Sequence, residues 1–180
     1  MQAGLYHRPA MTEVRLTPTS YVVLGLIEAM QPATPYDLKL AAQQGVANLW
    51  ALPHTQLYSE SARLAAAGLL EEERESGGRR RRIYRIAPPG REALEAWRRD
   101  PSPTGWELRD AGLLKLFFGA DPHALAEIQL EAHRERLAEY ESVREQGAEM
   151  PRGMRLALEA GIGHEREYVR FWEGVAAGVE

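Results

Sequence analysis

PHTQLYSESARLAAAGLLEEERESGGRRRRIYRIAPPG, residues 53 to 90, sets a short polar-faced helix directly before a hairpin whose turn runs into four arginines, Arg79 to Arg82. Leu57, Ser61, Leu64 and Gly68 recur at three- and four-residue spacing, which predicts a helix over about 55–67 with a narrow inward stripe. Gly68 supplies its C-terminal stop. Gln56, Tyr58, Ser59, Glu60 and Arg63 are left to face elsewhere. Leu69 to Glu75 and Arg82 to Ala87 flank Ser-Gly-Gly-Arg and read as two hairpin strands. Four arginines alone are more often a solvated patch than a site. Beside a glycine turn and a helix able to enter a groove, they become what recognition of a polyanionic duplex requires.

Upstream, Thr17-Pro18 predicts a helix start, with threonine as N-cap and proline at the first helical position. The apolar segment that follows, to Gln31-Pro32, belongs to a core. Thr34-Pro35 repeats the cap and opens a second helix to Gly45, with Tyr36, Leu38 and Leu40 available for packing. Residues 1–15 lack periodicity and are read as a loose arm. Downstream, Pro88-Pro89 opens a fourth helix whose buried face is Ala93, Leu94 and Trp97. The run Asp100 to Gly105 holds two prolines and a glycine and marks the best boundary. The expected division is therefore an arm over 1–15, a first domain over 16–100 and a helical region over 101–180.

The helical region reads as three segments, over about 106–118, from Asp121-Pro122 to about 146, and over about 152–179. Leu130, His133, Leu137 and Tyr140 share one face of the second. In the third, Met154, Leu158, Gly161, Glu165, Tyr168, Trp172, Val175 and Val179 alternate at four- and three-residue spacing, reinforced by Ile162 and Val169. That is a heptad seam interrupted by a charge, and a second copy of the chain is its most economical cover. Met154, Leu158, Ile162, Tyr168, Val169, Trp172, Val175 and Val179 are accordingly the candidate dimerisation residues.

With 180 residues, 44% of them hydrophobic, the chain can bury a core and is unlike a disordered segment. It has no cysteine, so disulfides, cysteine-ligated zinc and thiol chemistry are excluded, and a cytoplasmic setting is the natural expectation. The longest apolar run, Tyr21 to Ile27, is far short of a membrane span. The net charge of -4 conceals an asymmetry. Residues 1–105 hold 13 Lys and Arg against 11 Asp and Glu; residues 106–180 hold 9 against 15. The acidic half would be repelled by DNA and held away from it.

Three helices followed by a hairpin, a further helix and a helical tail is the order of a winged helix-turn-helix. Its third helix enters the major groove and its wing lies over the flanking backbone. The fold class is thus mainly α with a small β-hairpin, a winged helix-turn-helix followed by a C-terminal helical dimerisation region. Thr55, Gln56, Tyr58, Ser59 and Arg63 are the candidates for contact with base edges and phosphates. Tyr36 is divided between packing and phosphate contact. Arg79, Arg80, Arg81 and Arg82 suit sequence-independent phosphate contacts. The five histidines lack metal-ligand spacing, and Gly161-Ile162-Gly163 lacks the strand that a nucleotide loop needs. Trp50, Trp97, Trp106 and Trp172 are read as core or interface packing ahead of an effector pocket. No nucleophile–base pair, metal cluster or cofactor motif supports an enzyme. The competing class is a helical adaptor that keeps the winged helix only as a scaffold.

The segments LGLIEAMQPATPYDL, LYSESARLAAAGLL and GGRRRRIYRIAPPG together resemble the N-terminal domain of PadR-type transcriptional regulators. The matching positions are Leu24-Gly25-Leu26, Tyr36, Leu57-Tyr58 and Gly78 to Arg85. Asp110 to Pro122 resembles the start of that family's C-terminal region, so the likeness runs from about Leu16 to Pro122. Thr34-Pro35 stands where the family commonly has His-Gly, and Ser59 where it commonly has proline. Ala87-Pro88-Pro89 lacks the usual threonine cap. The resemblance implies a homodimeric repressor of a pseudo-palindromic double-stranded operator. In such a family, members commonly release DNA on binding a small aromatic or amphipathic effector near the junction of the two regions, and others sense nothing known.

Overall fold

The structure, a computed structural model, describes residues 14–46, 50, 52–74, 81–103, 109–147 and 149–178. The chain divides into two compact units, residues 1–103 and 104–180. The expected N-terminal arm and the glycine turn of the hairpin fall almost wholly outside the described residues, as do Trp106, Arg79, Arg80 and Val179.

The first unit is built from α1 (Pro18–Met30), α2 (Pro35–Gln44), α3 (His54–Ala66), β1 (Leu70–Arg74), β2 (Arg82–Ile86) and α4 (Pro88–Arg99). Thr17 and Thr34 are the N-caps of α1 and α2, each followed by proline in the first turn. At α2 the cap is reciprocal. The Asp37 N–H donates to Thr34 Oγ1 at 3.3 Å, and the Thr34 N–H donates to Asp37 Oδ2 at 2.8 Å. That backbone N–H, followed by the Thr34 hydroxyl, holds the Asp37 carboxyl below its usual range. Val23, Leu24, Ile27, Leu38, Leu57, Leu64, Leu70, Tyr84 and Leu94 form the core.

Two glycines matter to this packing. Gly68 ends α3 at φ +74°, a conformation that a Cβ would strain. Gly90 lets α4 pass over the start of β1, where a Cβ would lie 2.1 Å from the Leu69 carbonyl oxygen. The strands pair antiparallel with Glu72 opposite Tyr84. Tyr84 also exchanges both backbone hydrogen bonds with Ala33, so the base of the hairpin is tied to the α1–α2 connection.

Three expectations for buried faces are corrected. Tyr36 is 59% exposed and Leu40 39% exposed, because Leu38 and Ala42 carry α2 into the core. Trp97 is 47% exposed and stacks on Tyr21, with centroids 4.7 Å apart and planes 9° from parallel. The inward residues of α4 are Gly90 and Leu94.

The second unit contains α5 (Ala111–Phe117), α6 (Pro122–Gln146) and α7 (Arg152–Ala176). Asp110 and Asp121 accept backbone N–H bonds at the starts of α5 and α6. The cap at Asp110 sets the start of α5 at Ala111, and the expected start near Trp106 lies outside the described residues. Ion pairs Arg134–Glu173, Glu141–Arg166 and Arg144–Glu159 occur in opposite order along α6 and α7, so the two helices run antiparallel.

Part of the α7 seam, for which a second copy is the expected cover, is already buried within the single chain. Ile162, Glu165 and Trp172 are buried, Leu158, Tyr168, Val169 and Val175 are half-buried, and the Tyr168 ring meets His133 of α6 with centroids 4.6 Å apart. Met154 alone of the described seam residues stands exposed, at 57%. The interrupting charge is also accommodated: His133 Nδ1 lies 2.6 Å from Glu165 Oε2. Gly161 allows the Tyr140 ring to approach α7.

Candidate nucleic-acid interface

On α3 the buried stripe Leu57, Ser61 and Leu64 fixes which side chains point outward. The Ser61 hydroxyl donates to the Leu57 carbonyl, so a polar residue in the stripe is satisfied without a partner helix. On the opposite side, Thr55, Tyr58, Ser59 and Ala62 line an open concavity of about 490 Å³. Its other walls are Pro35, at the start of α2, and Arg82 and Tyr84 of β2. The Ala33–Tyr84 bridge builds this arrangement by drawing β2 against the connection that leads into α2.

Thr55, Tyr58, Ser59 and Arg82 are therefore brought together, with the exposed Tyr36 adjoining them in sequence at Pro35. Hydroxyls, an exposed phenol and a guanidinium along one open concavity are groups suited to phosphate oxygens and base edges. Gln56 and Arg63 do not line it. They are seven residues apart on α3, near two full turns, and so share a flank of the helix beside the concavity.

Arg63 has another engagement. Its Nε donates to Glu60 Oε2 at 2.8 Å, and its Nη2 donates to Glu60 Oε1 at 2.6 Å. The same Nη2 lies 3.1 Å from Ser20 Oγ of α1. The guanidinium beside Glu60 holds that carboxyl below its usual range, outweighing the opposing effect of burial. Arg63, expected as a base-contacting residue, is thus engaged with Glu60 and α1 and does not line the concavity.

The wing strands carry their own charge pairs. Glu72 accepts from Arg74 Nε at 2.9 Å and from the Tyr84 hydroxyl at 3.2 Å, and Arg82 Nη1 is 3.7 Å from it. Arg74, then Arg82, hold Glu72 below the usual carboxylate range. Arg82 faces the concavity with one side anchored, and Arg81 beside it is exposed. Glu72 is not marked by any sequence motif; its place opposite Tyr84 follows from the strand register. Among the described residues, no group of His, Cys, Asp or Glu could hold a metal ion, and no helix is long and apolar enough to cross a membrane.

Residues 23–96 match the family model described as "Transcriptional regulator PadR-like family", and residues 108–179 match that described as "Virulence activator alpha C-term". No curated protein matches the chain significantly. Among solved structures, that of Bacillus subtilis PadR in complex with operator DNA is similar, with a TM-score of 0.76 and 21% identity over 89% of this chain and 98% of that one. The same regulator in complex with p-coumaric acid gives 0.71 and 22% over 89% and 97%. The Vibrio cholerae virulence activator AphA gives 0.66 and 21% over 89% and 97%. At these identities the structural likeness shows the fold, mainly helical with a winged helix and a helical C-terminal region. The family model matched over residues 23–96 is one of transcriptional regulators. Residues 23–96 thus match the model of the PadR-like transcriptional regulators, on a fold similar to that of solved PadR structures.

Proposed function

We propose that the protein is a homodimeric repressor that reads a pseudo-palindromic operator with α3 in the major groove and the β1–β2 wing along the flanking backbone. The observation that carries this reading is the concavity that joins Thr55, Tyr58 and Ser59 to Arg82 on the face of α3 opposite its buried stripe. Thr55, Tyr58 and Ser59 meet bases and adjacent phosphates, while Tyr36 and Arg79 to Arg82 hold register on the backbone. Gln56 borders this surface and contacts a base only at its margin.

The dimer rests on the second unit. Leu114 and Phe117 of α5 and the adjoining Phe118 are exposed, the two phenylalanines at 83% and 77%. Met154, Leu156 and Phe171 of α7 are exposed as well. Large apolar side chains presented in this number favour an interface between copies. A small aromatic or amphipathic effector is the fitting release signal, since a similar regulator has been solved with p-coumaric acid.

The test is a footprint on the duplex that the protein selects most strongly from a randomised pool. Two protected half-sites centred about 10 base pairs apart, or a multiple of that, are expected. A single protected half-site would overturn the dimeric reading. A loss of protection on adding p-coumaric acid supports the effector class.

A further inference from the structure

Ser20 is wholly buried in the first turn of α1, yet its hydroxyl faces four polar atoms. Two are on the N-cap Thr17, of which the Thr17 hydroxyl at 3.2 Å is the farthest, and one each on Glu60 and Arg63 of α3. Its hydrogen goes to Glu60 Oε1 at 2.6 Å, and its oxygen accepts from the Thr17 N–H at 2.8 Å and from Arg63 Nη2 at 3.1 Å. One hydrogen and two lone pairs are thereby used in full. Glu60 in turn binds the Arg63 fork through both oxygens. Such a two-point fork constrains angle as well as distance, and a lysine ammonium cannot reproduce it.

The apolar stripe of α3 is narrow: among its inward residues only Leu57, Ser61 and Leu64 are buried. A narrow stripe leaves rotation of the helix about its own axis weakly restrained. Glu60 and Arg63 lie to one side of that stripe, where a tie to α1 acts as a lever against rotation. The same rotation decides whether Ser59 and Tyr58 or their neighbours meet the groove. The tie also reaches the N-cap of α1 through Thr17.

We infer that Ser20, Glu60 and Arg63 form a positioning lock that sets the rotation of α3, and with it discrimination among operator sequences, without touching DNA. The inference rests on the proposed reading of α3 as the recognition helix. None of the three residues lines the concavity. They are positioning residues, acting through Thr55, Tyr58 and Ser59.

The test uses the full chain and two duplexes: the sequence it selects most strongly from a randomised pool, and a scrambled version. Affinities are measured across a salt series for wild type, Ser20→Ala, Arg63→Lys and Arg63→Ala. In Ser20→Ala and Arg63→Lys the preference for the selected duplex should fall about tenfold, the scale of one mismatched base pair. Affinity for the scrambled duplex and the salt slope should stay at wild-type values, which also shows that the variants fold. If Ser20→Ala does not fold, Arg63→Lys, on a half-exposed side chain, carries the test. An unchanged preference in both variants would overturn the lock. So would Arg63→Lys behaving as wild type while Arg63→Ala lowers the salt slope by about 0.9, the signature of a direct phosphate contact. A wild-type chain that does not prefer the selected duplex would overturn the reading of α3 itself.

Discussion

The two units treat polar and apolar side chains in opposite ways. In the winged-helix unit the apolar stripe of α3 is closed inside the unit and the polar face is left open. In the helical unit part of the α7 seam is closed against α6 and a different apolar set, on α5 and the outer side of α7, is left open. An open polar face with cations beside it suits a polyanion. An open apolar face suits another protein surface. Charge follows the same division, with the acidic excess confined to residues 106–180. On the proposed reading, the first unit meets DNA and the second meets a copy.

The largest effect should come from breaking the inner seam. Trp172→Ala removes a fully buried side chain and should cost about 3–5 kcal/mol of stability, read from the denaturation midpoint of the helical unit. Met154→Ser, in the same heptad pattern but exposed in the single chain, should change stability by less than about 0.5 kcal/mol at dilutions where the chain is monomeric. Equal costs would mean that the seam is covered otherwise than by α6.

His133→Leu should cost about 3 kcal/mol, because it leaves the Glu165 carboxylate buried without its partner. The double variant His133→Leu with Glu165→Leu should recover most of that stability. A double variant as unstable as the single one would deny the pair its coupling.

On the outer face, Phe117→Ser with Phe118→Ser should weaken self-association about 100-fold or more in sedimentation equilibrium, given about 1.5–3 kcal/mol for each phenylalanine buried. Helix content should be unchanged. Retained dimers would move the interface away from α5.

A smaller effect concerns pH. Glu60 has a depressed folded-state value, so its contribution to stability is present above the ordinary carboxylate value of 4.5 and is lost as pH falls through the folded value. Glu60→Gln should be less stable near neutrality and flatter in its decline on acidification. A decline parallel to wild type would remove Glu60 from the acid response.

Local chemistry made much of the fold legible in sequence. Thr17-Pro18, Thr34-Pro35 and Asp121-Pro122 each begin a helix where the cap and proline require it, and Gly68 ends α3 at positive φ. What stayed hidden depended on distant partners. Periodicity revealed a buried stripe on α7 but not whether α6 or a second copy covers it. Arg63 has the chemistry of a base reader, and only the placement of Ser20, 43 residues away, reveals its other engagement. Trp97 has the size and spacing of a core residue, yet its ring lies flat on Tyr21 near the surface.

The central claim, that the first unit binds duplex DNA through α3 and the arginine wing, is tested most directly by the salt dependence of binding to the selected duplex. Replacing Arg80 and Arg81 with alanine should flatten the log–log slope by up to about 1.8, roughly 0.9 for each phosphate that is no longer neutralised, while preference over a scrambled duplex is kept. A slope identical to wild type would contradict the assignment of the arginine run as a DNA-contacting wing.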